Sequence, residues 1–124
     1  MEPKTYLAGA TVIRNRLGKF SGANIIHNTA TATDDPVGVI LNDAASTEYV
    51  TVDHLCGGPI EMTAAGVISA GADVYAAAAG KVQALPTAAA TYRRVGIALK
   101  AATADGDIIE VLPYNDGKTT VVSE

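Results

Sequence analysis

The feature that most constrains the fold of this chain is an internal repeat. The segment VGVILNDAASTEYVTV begins at Val37, and the segment VGIALKAATADGDIIEV begins at Val95. The two align with an offset of 58 residues (95 − 37) until a one-residue insertion in the second copy. Both copies share a Val-Gly-aliphatic-x-Leu start, a small polar loop, an acidic residue and then alternating aliphatic residues. The chain therefore contains two related structural units.

Each copy has the alternation that is typical of a β-hairpin. In the first copy Val39 and Leu41 point to one side of a strand, and Val50 and Val52 alternate in the returning strand. The linking loops, NDAASTE and KAATADGD, are longer than a two-residue turn, which predicts wide or bulged connections. Two related hairpins in a small domain predict an all-β fold, either a small barrel or a sandwich of hairpins.

An alanine-rich segment raises the question of a helix. Residues 69–85, SAGADVYAAAAGKVQAL, contain four consecutive alanines, and alanine has the highest helix propensity. A helix over residues 74–85 would contain Gly80 and would lack a strong apolar stripe. The letters DVY favour a strand, and residues 81–85 alternate with period two. The pattern favours a strand, an alanine turn and a second strand; the alternative is a short helical turn over residues 76–79 inside the hairpin.

Composition along the chain suggests three parts. We predict an extended N-terminal arm and linker over residues 1–35, a β-domain over residues 36–113 and a C-terminal tail over residues 114–124. The stretch TATATDDP, which ends at Pro36, has the composition of a linker. Further strands are expected in the arm near residues 11–14 and 24–27. Those of the β-domain are expected near residues 37–41, 48–53, 60–63, 73–77, 81–85, 92–99 and 107–112.

The composition predicts a thin hydrophobic core. The chain has 124 residues, with one Phe, five Tyr and no Trp, so Val, Ile and Leu must supply the large buried side chains. A thin core in a small domain often needs partner chains to complete its burial. The single cysteine, Cys56, excludes an internal disulfide. Short apolar runs and the absence of a signal-peptide pattern predict a soluble protein that is made in a cytoplasm.

Charge is distributed unevenly along the chain. Residues 1–33 carry four basic residues against Glu2, which sums to +3, whereas residues 34–124 carry five basic and twelve acidic residues, which sums to −7. This difference is compatible with chance in a short segment, or with a basic arm that docks on an acidic surface. Nucleic-acid binding is not expected, because the chain has no dense basic run interleaved with aromatic residues.

No pattern of residues points to catalysis, to a cofactor or to a metal site. Residues 53–56, DHLC, offer a histidine beside a thiol, but a zinc site needs more soft ligands, so a thiol beside a turn is the simpler interpretation. Acidic residues in the two hairpin loops lack EF-hand spacing. The glycines are too widely spaced for a phosphate-binding loop. The pair Arg93 and Arg94 lies on one strand, where it predicts a solvated edge or an interface.

Three segments, read in order, resemble the bacteriophage head decoration proteins, also called cement proteins. They are PVGVILNDAASTEYVTV, AAGVISAGADVYAAAAGKV and RVGIALKAATADGDIIEVLP. The family is similar in the order of a Gly-Val-x-Leu strand, a Gly-Asp-x-Val-Tyr hairpin and a closing Gly-x-Ala-Leu hairpin. The resemblance covers residues 36–112, and the first 33 residues show no match to it.

This resemblance implies a non-enzymatic protein on the outer surface of a virion capsid, made in the host cytoplasm. Its implied partners are the major capsid protein and further copies of itself in a homotrimer, with no nucleic acid, membrane or cofactor. Bridging of neighbouring shell subunits would stabilise the capsid through many modest contacts. The expected interface residues are Tyr6, Leu7, Val12, Ile13, Arg14, Arg16, Lys19, Arg93 and Arg94.

Two other functions remain open at this point. One is another structural part of a phage, such as a tail or head–tail joining protein with a related β-domain. The other is a module that binds a small ligand or a carbohydrate, although such modules usually present aromatic platforms that this composition lacks.

Overall fold

The structure, a computed structural model, describes residues 4–27, 36, 38–54, 58–87, 89–113 and 119–122. Within these ranges the regular structure consists of strands and one short 3-10 turn over Ala78–Gly80. The strands are β1 (Lys4–Leu7), β2 (Leu17–Ser21), β3 (Asn24–His27), β4 (Gly38–Ile40), β5 (Tyr49–His54), β6 (Ile60–Thr63), β7 (Asp73–Ala76), β8 (Val82–Gln83), β9 (Ala90–Ala98), β10 (Ile108–Pro113) and β11 (Thr119–Val122). The predicted all-β class is confirmed.

The strands form two antiparallel sheets that pack as a sandwich. The first sheet has the order β1-β5-β4-β2-β3, and the second has the order β6-β10-β9-β7-β8, with β11 paired to β9. The two orders are equivalent, because β6 to β10 take the same places in the second sheet as β1 to β5 take in the first. The internal repeat is therefore larger than the two hairpins that reveal it, because each whole sheet is one copy. We call residues 4–54 the first half and residues 58–113 the second half.

Isolated bridges repeat in the same way. In each half the segment after the first strand pairs with the loop between the last two strands, and a parallel bridge joins the outermost strands of the sheet. Each sheet thus curls until its two edges approach without closing into a barrel. The bridges of the two halves are Val12 to Ala44 and Ala8 to Ile25 in the first, and Ile68 to Ala102 and Ala64 to Val82 in the second.

The glycine of the repeated Val-Gly motif marks a close approach of two backbones. A Cβ atom added to Gly38 would lie 2.2 Å from the carbonyl oxygen of Asp53, and one added to Gly96 would lie 2.2 Å from that of Leu112. Each glycine pairs with the strand on either side of it in the sheet. Because the obstacle is backbone, no side chain fits at either position.

Buried side chains form two clusters, one inside each curled sheet. The cluster of the first half consists of Ala8, Val12, Ile25, Ile40, Ala44, Val50 and Val52. The cluster of the second half is larger, and it includes two residues of the first half, Leu17 and Val39. These two side chains are opposite each other in β2 and β4 and point away from their own cluster. They join the two halves.

The N-terminal segment differs from the extended arm that the sequence suggested. Residues 4–27 form β1, β2 and β3, which are three of the five strands of the first sheet, and residues 28–35 lie outside the described part. Leu17 and Ile25 are fully buried. The physical reason is that β4 and β5 alone cannot cover the first core, so the segment that precedes them completes it. The strand expected near residues 11–14 is a single bridge at Val12.

The other predicted strands agree with the structure. The alanine segment forms β7, a short 3-10 turn over Ala78–Gly80 and β8, so the strand pair is confirmed; within the turn Ala79 and Gly80 have φ values of 59° and 75°. In the tail, residues 119–122 form β11 on the N-terminal part of β9.

Candidate functional site

The expected interface residues of β1 lie beside an aromatic cluster. The Tyr6 hydroxyl is 3.0 Å from Nε2 of His54, and the Tyr6 ring meets the Phe20 ring edge-on at a centroid distance of 5.3 Å. Tyr6 is half-buried against the first core, whereas Leu7 and Phe20 are 40% and 46% exposed. This end of the first half therefore presents apolar surface, which the sequence analysis placed at Tyr6 and Leu7 but not at Phe20.

The loop between β1 and β2 separates the remaining arm residues. Val12 is 1% exposed within the first core, so its side chain is not part of any surface, in contrast to the expectation. Ile13 and Arg14 are exposed, and the backbone N–H of Arg14 donates to Oδ1 of Asp43 at 2.9 Å. Lys19 is half-buried in β2. The basic residues are thus spread over the first half instead of forming a continuous basic arm.

Arg16 faces the second half of the chain. Its Nη1 donates to the carbonyl oxygen of Ala79 at 3.4 Å, and its Nε is buried without a hydrogen-bond partner among the described residues. Nearby, both the backbone N–H and the hydroxyl of Thr63 donate to the carbonyl oxygen of Asn15, at 2.7 and 2.9 Å. Arg16 therefore belongs to the junction of the two halves.

The arginine pair of β9 is more buried than a solvated edge would be. Arg93 is 3% exposed, and its Nη1 donates to the carbonyl oxygen of Arg94. Arg94 is half-buried, with Nη1 3.8 Å from Oδ2 of Asp73. Arg93 lies in a nine-residue strand that pairs with β11 over residues 90–93, so this strand is not an edge of its sheet there.

Acidic residues of the two hairpin loops accept hydrogen bonds from backbone N–H groups of the same loops. Glu48 Oε1 accepts the N–H of Ala45 at 2.7 Å. Its counterpart Asp107 accepts the N–H and the hydroxyl of Thr103 and the N–H of Ala104, and these hydrogen bonds, above all that from the Thr103 backbone, lower the pKa of Asp107. Asp105 pairs with Lys81 at 2.8 Å.

Of residues 53–56, the structure describes Asp53 and His54. His54 is bonded to the Tyr6 hydroxyl, and Leu55 and Cys56 lie outside the described residues. Within the described ranges no three His, Cys, Asp or Glu side chains come together as metal ligands.

A shallow depression of about 280 Å³ lies between residues 11–13 and the loop over residues 43–48. No helix in the described ranges has the length and apolar character to span a membrane.

Two patches of exposed apolar side chains lie at related positions of the two sheets. The first patch, Leu41 and Tyr49, lies around the start of the hairpin loop, where Asn42 binds β5 through the N–H of Thr51 at 2.7 Å. The second patch, Leu99 and Ile108, occupies the matching positions of the other repeat. Tyr49 is 73% exposed.

Sequence reasoning did not assign these residues to a surface. Leu41 and Leu99 were visible as matched positions of the repeat, but strand alternation alone does not say which face is covered. The repeat itself was the available signal. Both copies place an aliphatic residue at the same outward position, although a position that only faces water does not need an aliphatic side chain.

Comparison with known proteins gives a family and a fold. A family model described as phage cement protein matches residues 7–113. The crystal structure of the N base of the head fiber protein gp8.5 from bacteriophage phi29 is similar, with a TM-score of 0.72 and 17% sequence identity over 91% of this chain and 93% of that chain. No curated protein sequence matches the chain. The family match extends to most of the N-terminal segment that the sequence analysis left without a counterpart.

Proposed function

Because the chain belongs to the phage cement protein family, a family of phage structural proteins, we propose that it binds the outer surface of an assembled capsid and stabilises it. In this proposal it bridges neighbouring subunits of the major capsid protein, acts as a homotrimer and catalyses no reaction. The alternative, a tail or head–tail joining protein, would lie at a different place on the virion.

The observation that carries the proposal is the pair of related apolar patches. Leu41 and Tyr49 on the first sheet, and Leu99 and Ile108 on the second, give one chain two similar contact surfaces. The halves are joined through the buried side chains of Leu17 and Val39. A protein with two linked surfaces can contact two neighbouring shell subunits, and the second contact then forms at high effective concentration.

Of the interface residues expected from sequence, those with exposed side chains remain in the proposal. Ile13 and Arg14 are exposed beside the hairpin loop of the first half, and Arg14 can meet an acidic shell surface. Val12 and Arg93 are buried, so we assign them to folding instead.

The test uses capsids assembled without this protein. We expect the added chain to co-sediment with capsids and to raise their melting temperature in calorimetry. Full burial of one large apolar side chain contributes about 1.5–3 kcal/mol, and 1.4 kcal/mol is about tenfold in affinity. The double variant Tyr49→Ser/Ile108→Ser should therefore bind at least about tenfold more weakly.

The matched control is Val67→Ser, because Val67 is 70% exposed in a loop outside both patches. It should bind like the wild type. Absence of binding to capsids, or equal binding by the double variant, would contradict the proposal. Immunogold labelling of virions at the tail or the head–tail junction would instead favour the alternative location.

A further inference from the structure

The contact between the two halves uses a different surface on each half. The first half contributes Asn15, Arg16 and Leu17 at the start of β2, and Val39 of β4. The second half contributes Thr63 at the end of β6 and the 3-10 turn, where a Cβ on Gly80 would lie 2.6 Å from the carbonyl oxygen of Leu17. The contact is therefore head-to-tail between repeats, not a symmetric pairing of like surfaces.

The register of the strands shows which residues correspond. In the first sheet Leu17 pairs with Val39, and at the equivalent place in the second sheet Asp73 pairs with Ile97. Leu17 therefore corresponds to Asp73, and Val39 corresponds to Ile97. We call residues 71–73 together with Ile97 the leading face of the second half. The described residues contain no third repeat to cover this face, in which Ala72, Asp73 and Ile97 are half-buried.

The first half has a matching unused surface. In the first sheet Leu7 pairs with Tyr49, and in the second sheet Thr63 pairs with Ile108, so Leu7 corresponds to Thr63. The turn between β2 and β3 corresponds to the 3-10 turn between β7 and β8. We call Leu7, Phe20 and this turn, residues 22–23, the receiving face. It is the surface on which a preceding repeat would pack.

Burial differs between the two halves in the way that an unused receiving face requires. Met62 and Ala76 of the second half are fully buried in the cluster that contains Leu17 and Val39. Their counterparts in the first half, Tyr6 and Phe20, are half-buried and 46% exposed. The same inner positions are thus covered where a preceding repeat is present and open where it is absent.

We propose that the leading face of one chain packs on the receiving face of a second copy, in the same way that the first half packs on the second within one chain. A head-to-tail contact either closes into a ring or grows into a fibre. A ring of three chains contains six repeats in sequence.

This inference names the surfaces through which copies of the chain associate. It rests on the proposed function only for the expectation that the chain self-associates. The test is the solution mass by light scattering behind a sizing column. The wild type should exceed the chain mass of 12.6 kDa, whereas Leu7→Glu and Ile97→Glu should each run as monomers. Circular dichroism checks that each variant is folded, and Phe20→Glu gives a second variant of the receiving face.

Mixing the two monomeric variants is the decisive step. Leu7→Glu retains a leading face and Ile97→Glu retains a receiving face, so the mixture should form a dimer of twice 12.6 kDa and no larger species. Symmetric pairing of like faces would not be restored by mixing. Val67→Glu, which changes an exposed loop, should keep the wild-type mass.

A monomeric wild type, wild-type mass in both single variants, or failure of the mixed variants to associate would each overturn the inference. Capsid co-sedimentation separates this result from the proposed function. Binding by monomeric wild type would contradict only the inference, and absence of binding by an assembled wild type would contradict only the proposed function.

Discussion

Replacement of Gly38 by alanine tests the physical meaning of the repeated Val-Gly motif. The added Cβ would lie 2.2 Å from the carbonyl oxygen of Asp53, 2.8 Å from its carbonyl carbon and 2.9 Å from the Cα of His54. Cβ contacts under 3.0 Å essentially never occur, so the two strands must separate by at least 0.8 Å (3.0 − 2.2) at this point. All three obstacles are backbone atoms, which cannot rotate away as a side chain can.

The expected cost follows from this geometry. Extra methyl groups in a packed interior cost about 1–3 kcal/mol, and separation of paired strands places this substitution at the upper end of that range. Alanine also restricts the unfolded chain, which offsets about 0.4–1 kcal/mol. We expect a net loss of about 2 kcal/mol in the free energy of unfolding, or about 8 °C in melting temperature for a domain of this size.

The assay is urea unfolding followed by far-ultraviolet circular dichroism, with the slope m compared between variants. Gly66→Ala is the matched control, because its Cβ would meet nothing within 4 Å, and it should change stability by less than about 1 kcal/mol. Gly96→Ala should cost as much as Gly38→Ala, since its Cβ lies equally close to the carbonyl oxygen of Leu112. A Gly38→Ala protein as stable as the control would refute the reasoning.

Two further substitutions test other consequences of the repeat. Thr47 has a φ of 74° where its counterpart Gly106 has a φ of 96°. Thr47→Gly should remove the backbone strain of a β-branched residue in the left-handed region and raise the free energy of unfolding in urea by up to about 1 kcal/mol. A loss of stability would contradict this. Hydrogen bonds from Thr103 and Ala104 lower the pKa of Asp107 below 3.8, so its carboxylate stabilises the fold above that pH and loses this effect as pH falls through the lowered pKa. Asp107→Asn should therefore be less stable than the wild type at pH 7, with a difference that narrows in acid; a difference that does not change with pH would exclude the carboxylate as its cause.

The hairpins were predictable from sequence because their information is local. Alternation with period two in β4, β5, β9 and β10 fixes which residues share a face, and the loops between them carry recognisable polar composition. The same local reasoning resolved the alanine segment, since Gly80 and the alternation after it oppose a helix. It also placed β3 at residues 24–27.

The first three strands were harder to interpret because their likeness to β6, β7 and β8 is structural and not chemical. KTYL of β1 corresponds to IEMT of β6, and Leu17 corresponds to Asp73. No pattern of residue types connects these segments, whereas strand order and register connect them directly. For this reason the segment was assigned to an arm although it completes a sheet.

The candidate surface shows the same division. Sequence reasoning selected Leu7, Ile13 and Arg14, whose side chains are exposed, together with Val12 and Arg93, which are buried. Alternation assigns residues to two faces of a strand, but it does not say which face another part of the chain will cover.

The sequence by itself determined that this protein is built from β-hairpins, that one hairpin is repeated, and that a Val-Gly pair begins each copy. Only the tertiary structure decided that each repeat is a five-stranded sheet, that Leu17 and Val39 turn outward into the neighbouring core, and that Leu7 and Phe20 of the first half stay exposed. The physical reason is that strand propensity and alternation act over a few residues. Burial depends on what packs against a face, and here residues of one cluster lie far apart in the chain, as Leu17 and Val82 do at a separation of 65 residues (82 − 17).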